Sequence, residues 1–167
     1  AWERFCRGKR SRADVMIFER GLEDHLFEIR ERLVSGQYCH GAYEPFVIKD
    51  PKRRLIHKAT IQDRIVHQAL VNIIEPVFER RFIHASYSCR LGKGTHAAVA
   101  ELRHFLREAS RNNTSTVYVL KCDVRKFFDS VDHAVLFRLL EARIADPKIL
   151  WLARHIIGSF SSSPGKC

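Results

Sequence analysis

From Thr60 to about Glu79, apolar residues recur at Ile61, Ile65, Val66, Ala69, Leu70, Ile73, Ile74, Val77 and Phe78. Two series at intervals of four, offset by one residue, keep one face of a 3.6-residue turn apolar, and this spacing predicts the strongest helix in the chain. Thr60 and Asp63 read as a capping pair at its start, Asp63-Arg64 as a tie between the first turn and the rest of the fold, and Pro76 as a bend or stop in the last turn. Upstream, Ile17, Phe18, Leu22, Leu26, Ile29 and Leu33 predict a helix ending near Gly36. Downstream, Ala98, Leu102, Phe105 and Ala109 predict the inner face of a helix that starts near Thr95, and "RNNTST" breaks it. Asp132 opens a helix through Val135, Leu136, Leu139 and Leu140, and Asp146-Pro147 opens another that ends near Gly158.

In two places the period shortens to two. Phe46 to Lys49 and Arg53 to His57 are extended runs flanking Asp50-Pro51, where proline presets φ and aspartate bonds its own backbone, so an antiparallel hairpin is expected. In "YVLKCDVRKFFDSVDH", Val117, Val119, Lys121 and Asp123 share one face, and Tyr118, Leu120, Cys122 and Val124 the other. Apolar residues on both faces predict a buried central strand. A carboxylate at the end of such a strand is costly unless it is paired or holds a cation. Asp123 is therefore either a structural aspartate that turns strand into helix or a ligand in a site.

Charge narrows the partners. The 167 residues carry 29 Lys and Arg against 19 Asp and Glu, a net +10, which favours phosphate polyanions. The excess is local. Lys49, Lys52, Arg53, Arg54 and Lys58 lie on the predicted hairpin, as a solubilising edge or as a grip for a triphosphate. The cluster from Arg7 to Arg12 is a solvated terminus or a phosphate-contacting arm. Gly92 and Gly94 precede a helix start, where backbone N–H groups approach phosphates, with Arg90 and Lys93 adding charge; such glycines also simply make turns.

Other chemistries find little support. Cysteines at 6, 39, 89, 122 and 167 are odd in number and contain no CxxC pair, as expected of reduced thiols in a cytoplasmic protein. Cys39-His40 has no second pair at zinc-ligand spacing, and no GxSxG nucleophile elbow occurs. No apolar run approaches the roughly 18 residues that span a bilayer, and nothing near the start resembles a signal peptide, so no membrane partner is expected. With no initiating Met and a Ser/Gly/Pro-rich end, the chain reads as a segment of a longer protein.

The order "RRLIHKATIQDRIVHQALVNIIEPVFERRF", "SYSCRLGKGTHAAV", "YVLKCDVRKFFDSVDH" resembles the first blocks of bacterial reverse transcriptases, the group related to group II introns, retrons and diversity-generating retroelements. The likeness runs from about Trp2 to Gly158, and the form "SYxCRxGKGTH", with the N-terminal "AWERFCRGKRSRADVMIFE", leans toward retroelement and retron-like members rather than intron maturases proper. It implies an α+β fold: reverse-transcriptase-like fingers, made of helices and an antiparallel hairpin, with the first strand and helix of a palm. The expected divisions are a helical extension over 1–44, fingers over 45–114 and a partial palm over 115–167.

The resemblance also implies roles. Asp123 is the first catalytic and metal-binding aspartate, helped by the backbone carbonyl of Val124. Lys49, Arg53 and Arg54 clamp the incoming dNTP, and Arg125, Lys126 and Phe127 present backbone to its triphosphate. Phe128 is the steric gate that selects deoxynucleotides, and Arg90 and Lys93 lie along the template. Asp129 and Asp132 read as capping or surface charge. The cofactor is Mg2+, with Mn2+ as a substitute; the partners are an RNA template, a DNA or RNA primer, dNTPs, and an accessory protein or structured RNA. The implied activity is RNA-directed DNA polymerisation in a bacterial cytoplasm, serving mobility, diversification or antiviral defence. The family's Tyr-x-Asp-Asp turn, which supplies the other carboxylates, is absent, so the segment alone is expected to be inactive. A non-catalytic RNA-binding module of the same ancestry is the alternative.

Overall fold

The computed structural model describes residues 1–160. In chain order the elements are α1 (Trp2–Cys6), α2 (Ala13–Arg20), α3 (Leu22–Val34), β1 (Glu44–Ile48), β2 (Arg54–Lys58), α4 (Ile61–Glu79), α5 (Thr95–Ala109), α6 (Phe127–Ser130), α7 (His133–Glu141) and α8 (Pro147–Gly158). The backbone groups into two compact units, one of Ala1–Glu75 with the segment from Val131 onward, the other of Pro76–Ser130. Helices with one two-stranded antiparallel sheet make the described fold α+β, as expected.

The first unit holds the apolar core. Trp2, Phe5 and Cys6 of α1 are buried with Val15 and Phe18 of α2, the Trp2 and Phe18 rings 5.4 Å apart. Ile29, Ile65, Val66, Leu70, Phe137, Leu140, Leu152 and Ala153 extend it through α3, α4, α7 and α8. Burying each large side chain contributes about 1.5–3 kcal/mol. The region Arg7 to Arg12 is thus a turn between two packed helices, with Lys9 over the Phe5 ring and Arg10 beside Glu19, rather than a loose terminus.

The single helix expected through Ile17 and Leu33 is two. His25 Nδ1 lies 3.0 Å from the Phe18 carbonyl oxygen, which a continuous helix would give to the Leu22 N–H. The chain accordingly leaves helical geometry at Gly21. At the other end of α3, Gly36 adopts φ +71°, the Gln37 N–H reaches the Arg32 carbonyl at 2.9 Å and the Gly36 N–H reaches that of Leu33 at 3.3 Å. These paired bonds satisfy carbonyls that the helix end leaves open.

β1 and β2 pair antiparallel with Glu44 opposite Lys58, Phe46 opposite Ile56 and Ile48 opposite Arg54. The Asp132 carboxylate accepts from the Ala134 and Val135 N–H groups at 2.8 and 3.0 Å, and these bonds hold its pKa below the usual carboxylate value. Asp146 caps α8 in the same way, with Pro147 at the first helical position. Pro76 lies inside α4, which continues to Glu79.

The second unit differs in kind. Among its described residues only Ser110 is buried, and α5 buries none. Leu102 and Phe105, expected on an inner face, are about half exposed. The buried central strand expected over 117–124 is not found either: these residues join no ladder, and Tyr118 and Leu120 are 93% and 88% exposed. A strand exists only through its neighbours, and among the described residues this segment pairs with none. No helix among the described residues is long and apolar enough to cross a membrane.

Candidate functional site

In the first unit, the candidate nucleotide contacts are carried by the hairpin. Lys49, Lys52, Arg53 and Arg54 are exposed, and among the described residues none of them forms an ion pair or a side-chain hydrogen bond. Lys58, at the far end of β2, is committed: its Nζ lies 2.9 Å from Asp14 Oδ2, which also accepts from Arg64 at 3.1 Å. The hydrogen bond from Lys58, then that from Arg64, holds the Asp14 pKa below its ordinary value against the effect of burial. The hairpin's cations therefore divide into one that anchors its base and four that remain available to an anion.

The base is held a second time. Asp63, with its side chain 3% exposed, accepts from the Tyr38 hydroxyl at 2.7 Å on one oxygen. On the other it accepts from the Gly41 N–H at 3.1 Å and the Thr60 hydroxyl at 2.6 Å. The Asp63 N–H donates to Thr60 Oγ1 at 3.2 Å, completing the capping pair that the sequence spacing predicts. Burial, and then the hydrogen bond to Asp63, push the Tyr38 phenol well above its ordinary pKa. His40 Nδ1 sits 2.7 Å from the Gly41 carbonyl, and its Nε2 sits 3.1 Å from Nε2 of His67. Burial first, and His40 second, lower the His67 pKa. Thr60-x-x-Asp63 is legible as a sequence motif, whereas Asp14, Tyr38, Gly41 and the histidine pair carry no local signal.

In the second unit, Arg90 and Lys93 sit in the loop before α5, and both turn inward. The Arg90 guanidinium forms a fork on Glu79, with contacts from 2.7 to 3.1 Å, and donates to the carbonyls of Ile83 and Ser86. Lys93 donates to the His84 carbonyl at 2.8 Å and lies over the Tyr87 ring. Both side chains shape the loop that carries them: Arg90 through Glu79 and two carbonyls, Lys93 through one carbonyl and a ring.

Asp123 and Val124 are exposed and lie outside any helix or strand. Arg125, Lys126, Phe127 and Phe128 follow directly, all exposed, with Lys126 at φ +50° immediately before α6. A left-handed residue before a helical one redirects successive N–H groups, the kind of turn that forms anion-binding concavities. The Phe128 ring is 88% exposed and meets Phe127 edge-on. Among the described residues no group of three His, Cys, Asp or Glu could hold a metal ion. Asp123 and the Val124 carbonyl are oxygen donors in an exposed stretch.

Comparison with known proteins identifies a shared family. A family model described as reverse transcriptase (RNA-dependent DNA polymerase) matches residues 48–166. Nuclear intron maturase 1, mitochondrial, of Arabidopsis thaliana is 33% identical over 106 residues, covering 62% of this chain and 14% of the relative. Protein YkfC of Escherichia coli K12 is 28% identical over 128 residues, 74% of this chain and 32% of that protein. The group II intron-encoded protein LtrA of Lactococcus lactis is 24% identical over 130 residues, 76% of this chain and 20% of that protein. The chain spans a third or less of the length of these relatives. Two of the three names refer to introns and none to retrons, so the leaning toward retron-like members gains no support.

Proposed function

The chain belongs to the reverse transcriptase (RNA-dependent DNA polymerase) family, and from that premise we propose that it supplies the fingers and the start of the palm of an enzyme that copies RNA into cDNA. The observation that carries this reading is the stretch Asp123–Phe128: an exposed carboxylate, a left-handed backbone turn and an exposed aromatic ring within six residues. Phosphoryl transfer asks little covalent chemistry of the protein and much positioning and charge stabilisation. Lys49, Arg53 and Arg54 neutralise the triphosphate of the incoming dNTP. The N–H groups of Arg125 to Phe127 orient it, and the flat ring of Phe128 packs where a 2′-hydroxyl would sit.

Asp123 and the Val124 carbonyl contribute oxygens to a divalent ion, which we assign as Mg2+ with Mn2+ as a substitute because the donors are hard oxygens. Bound there, the ion would lower the pKa of the attacking 3′-hydroxyl and offset phosphate charge. The partners are an RNA template and a primer; the setting is a bacterial cytoplasm. Arg90 and Lys93, which hold the loop before α5, lie along the template strand. The second reading is a non-catalytic RNA-binding module of the same ancestry, which the net charge of +10 supports equally.

Primer extension on an RNA template with Mg2+ and dNTPs, using the full-length protein and its Asp123→Asn variant, tests the proposal. Incorporation by the parent, reduced at least about a thousandfold in the variant, is the expected result. A folded, RNA-binding parent that incorporates nothing leaves the binding-module reading in place.

A further inference from the structure

A buried carboxylate with three donors needs a reason, because capping α4 requires only Thr60 and the backbone. Asp63 draws its donors from both sides of the hairpin. Tyr38 and Gly41 lie just before β1, and Thr60 lies just after β2. One side chain therefore closes the chain on either side of the ribbon. The closure is tight: a Cβ on Gly41 would stand 2.9 Å from Thr60 Cγ2 and 3.1 Å from Asp63 Oδ2. His40 Nδ1 is 3.8 Å from Asp63 Oδ2 and nearer to the Gly41 carbonyl, so the hydrogen bonds to the carboxylate come from Tyr38, Gly41 and Thr60.

We infer that Asp63 is the positioning residue of the hairpin: it sets the angle at which Lys49, Arg53 and Arg54 meet the triphosphate, without touching the nucleotide itself. This rests on the polymerase reading above. A five-residue strand is about 16 Å long, so a rotation of about 10° at the base moves the tip by about 3 Å, the difference between a hydrogen bond and none. Asn at position 63 keeps the shape but turns one acceptor into a donor facing another donor. Tyr38→Phe removes one hydroxyl and leaves the ring.

The test uses the full-length protein and three variants: Asp63→Asn, Tyr38→Phe and, as a control for simple loss of stability, Asp146→Ala, which removes the α8 cap. Two quantities are measured, the KM for dNTP against kcat and the hydrogen-exchange rates of amides in residues 44–58. A positioning role raises the dNTP KM about tenfold in Asp63→Asn and less in Tyr38→Phe, with kcat changed far less, and speeds exchange in the hairpin. A merely structural role lowers the active fraction, and so apparent kcat, at constant KM, as Asp146→Ala is expected to do. An unchanged KM in both hairpin variants overturns the inference. Should Asp63→Asn fail to fold, Tyr38→Phe decides alone. A wild type that incorporates nothing sinks the polymerase reading by itself, and the clamp then stands or falls on the exchange rates.

Discussion

His67 shares its Nε2 contact with His40 and is packed near Asp63, so its proton is a matter of stability as well as of local geometry. His40 Nδ1 faces the Gly41 carbonyl and its Nε2 faces Nε2 of His67, so the partner that His67 Nε2 meets is another imidazole. Burial first, and His40 second, oppose a positive charge on His67. The folded pKa of His67 lies below its ordinary 6.5, whereas the unfolded chain takes up the proton freely. The stability tied to this group is thus complete above pH 6.5 and is lost as pH falls through the lower folded value. Asp14 and Asp132 are also held below their ordinary 3.8, so their losses come at more acid pH and do not mask this window. Urea midpoints measured from pH 8 to 5 should fall in the wild type and fall less in His67→Gln; parallel curves would remove His67 as the cause. None of this was legible in the sequence, since His40 and His67 are 27 positions apart and only the fold places them in contact.

Elements whose evidence is local were readable, and those whose evidence is not were missed. α4, α7 and α8 carry both a 3.6-residue period and a capping residue, and they form where the pattern puts them. The hairpin follows from the turn chemistry of Asp50-Pro51, with strand ends shifted by one or two residues. α1 is too short for periodicity to register, and the break at Gly21 depends on a side chain, His25, bonding to a carbonyl. The strand read over 117–124 fails because alternation describes faces and says nothing of a pairing partner. The short α6 has a consequence for selectivity. Lys126 turns the backbone just before it, so Phe127 and Phe128 are placed by a single helical turn and held by few contacts. Phe128→Ala in the full-length protein should therefore raise ribonucleotide incorporation relative to deoxynucleotide by about tenfold or more at little cost in stability. Unaltered discrimination in steady-state competition would move the gate elsewhere.

At the scale of the molecule, core and charge are unevenly distributed. The apolar core belongs to the unit of residues 1–75 and 131 onward, while in residues 76–130 Tyr118, Leu120, Phe128 and the Leu102–Phe105 face of α5 stand in water. A unit that buries no apolar side chain cannot offset the conformational entropy of its own chain. The 167-residue chain by itself should consequently self-associate, with a sedimentation coefficient that rises with concentration. Replacing Tyr118 and Leu120 by lysine should reduce that rise, and a monomer at every concentration would contradict it. The positive surplus acts against such association only at low salt.

The bonds that Asp63 makes have a further consequence, for variation. The chain on either side of the hairpin is joined through one carboxylate and Lys58 ties its base to Asp14, so the turn between β1 and β2 is what stays uncommitted, in architectural terms an exchangeable cassette. Lengthening a flexible loop costs only about 0.6 kcal/mol per doubling. Turns of other lengths and charges should thus be accepted between β1 and β2 while the socket that receives them stays the same.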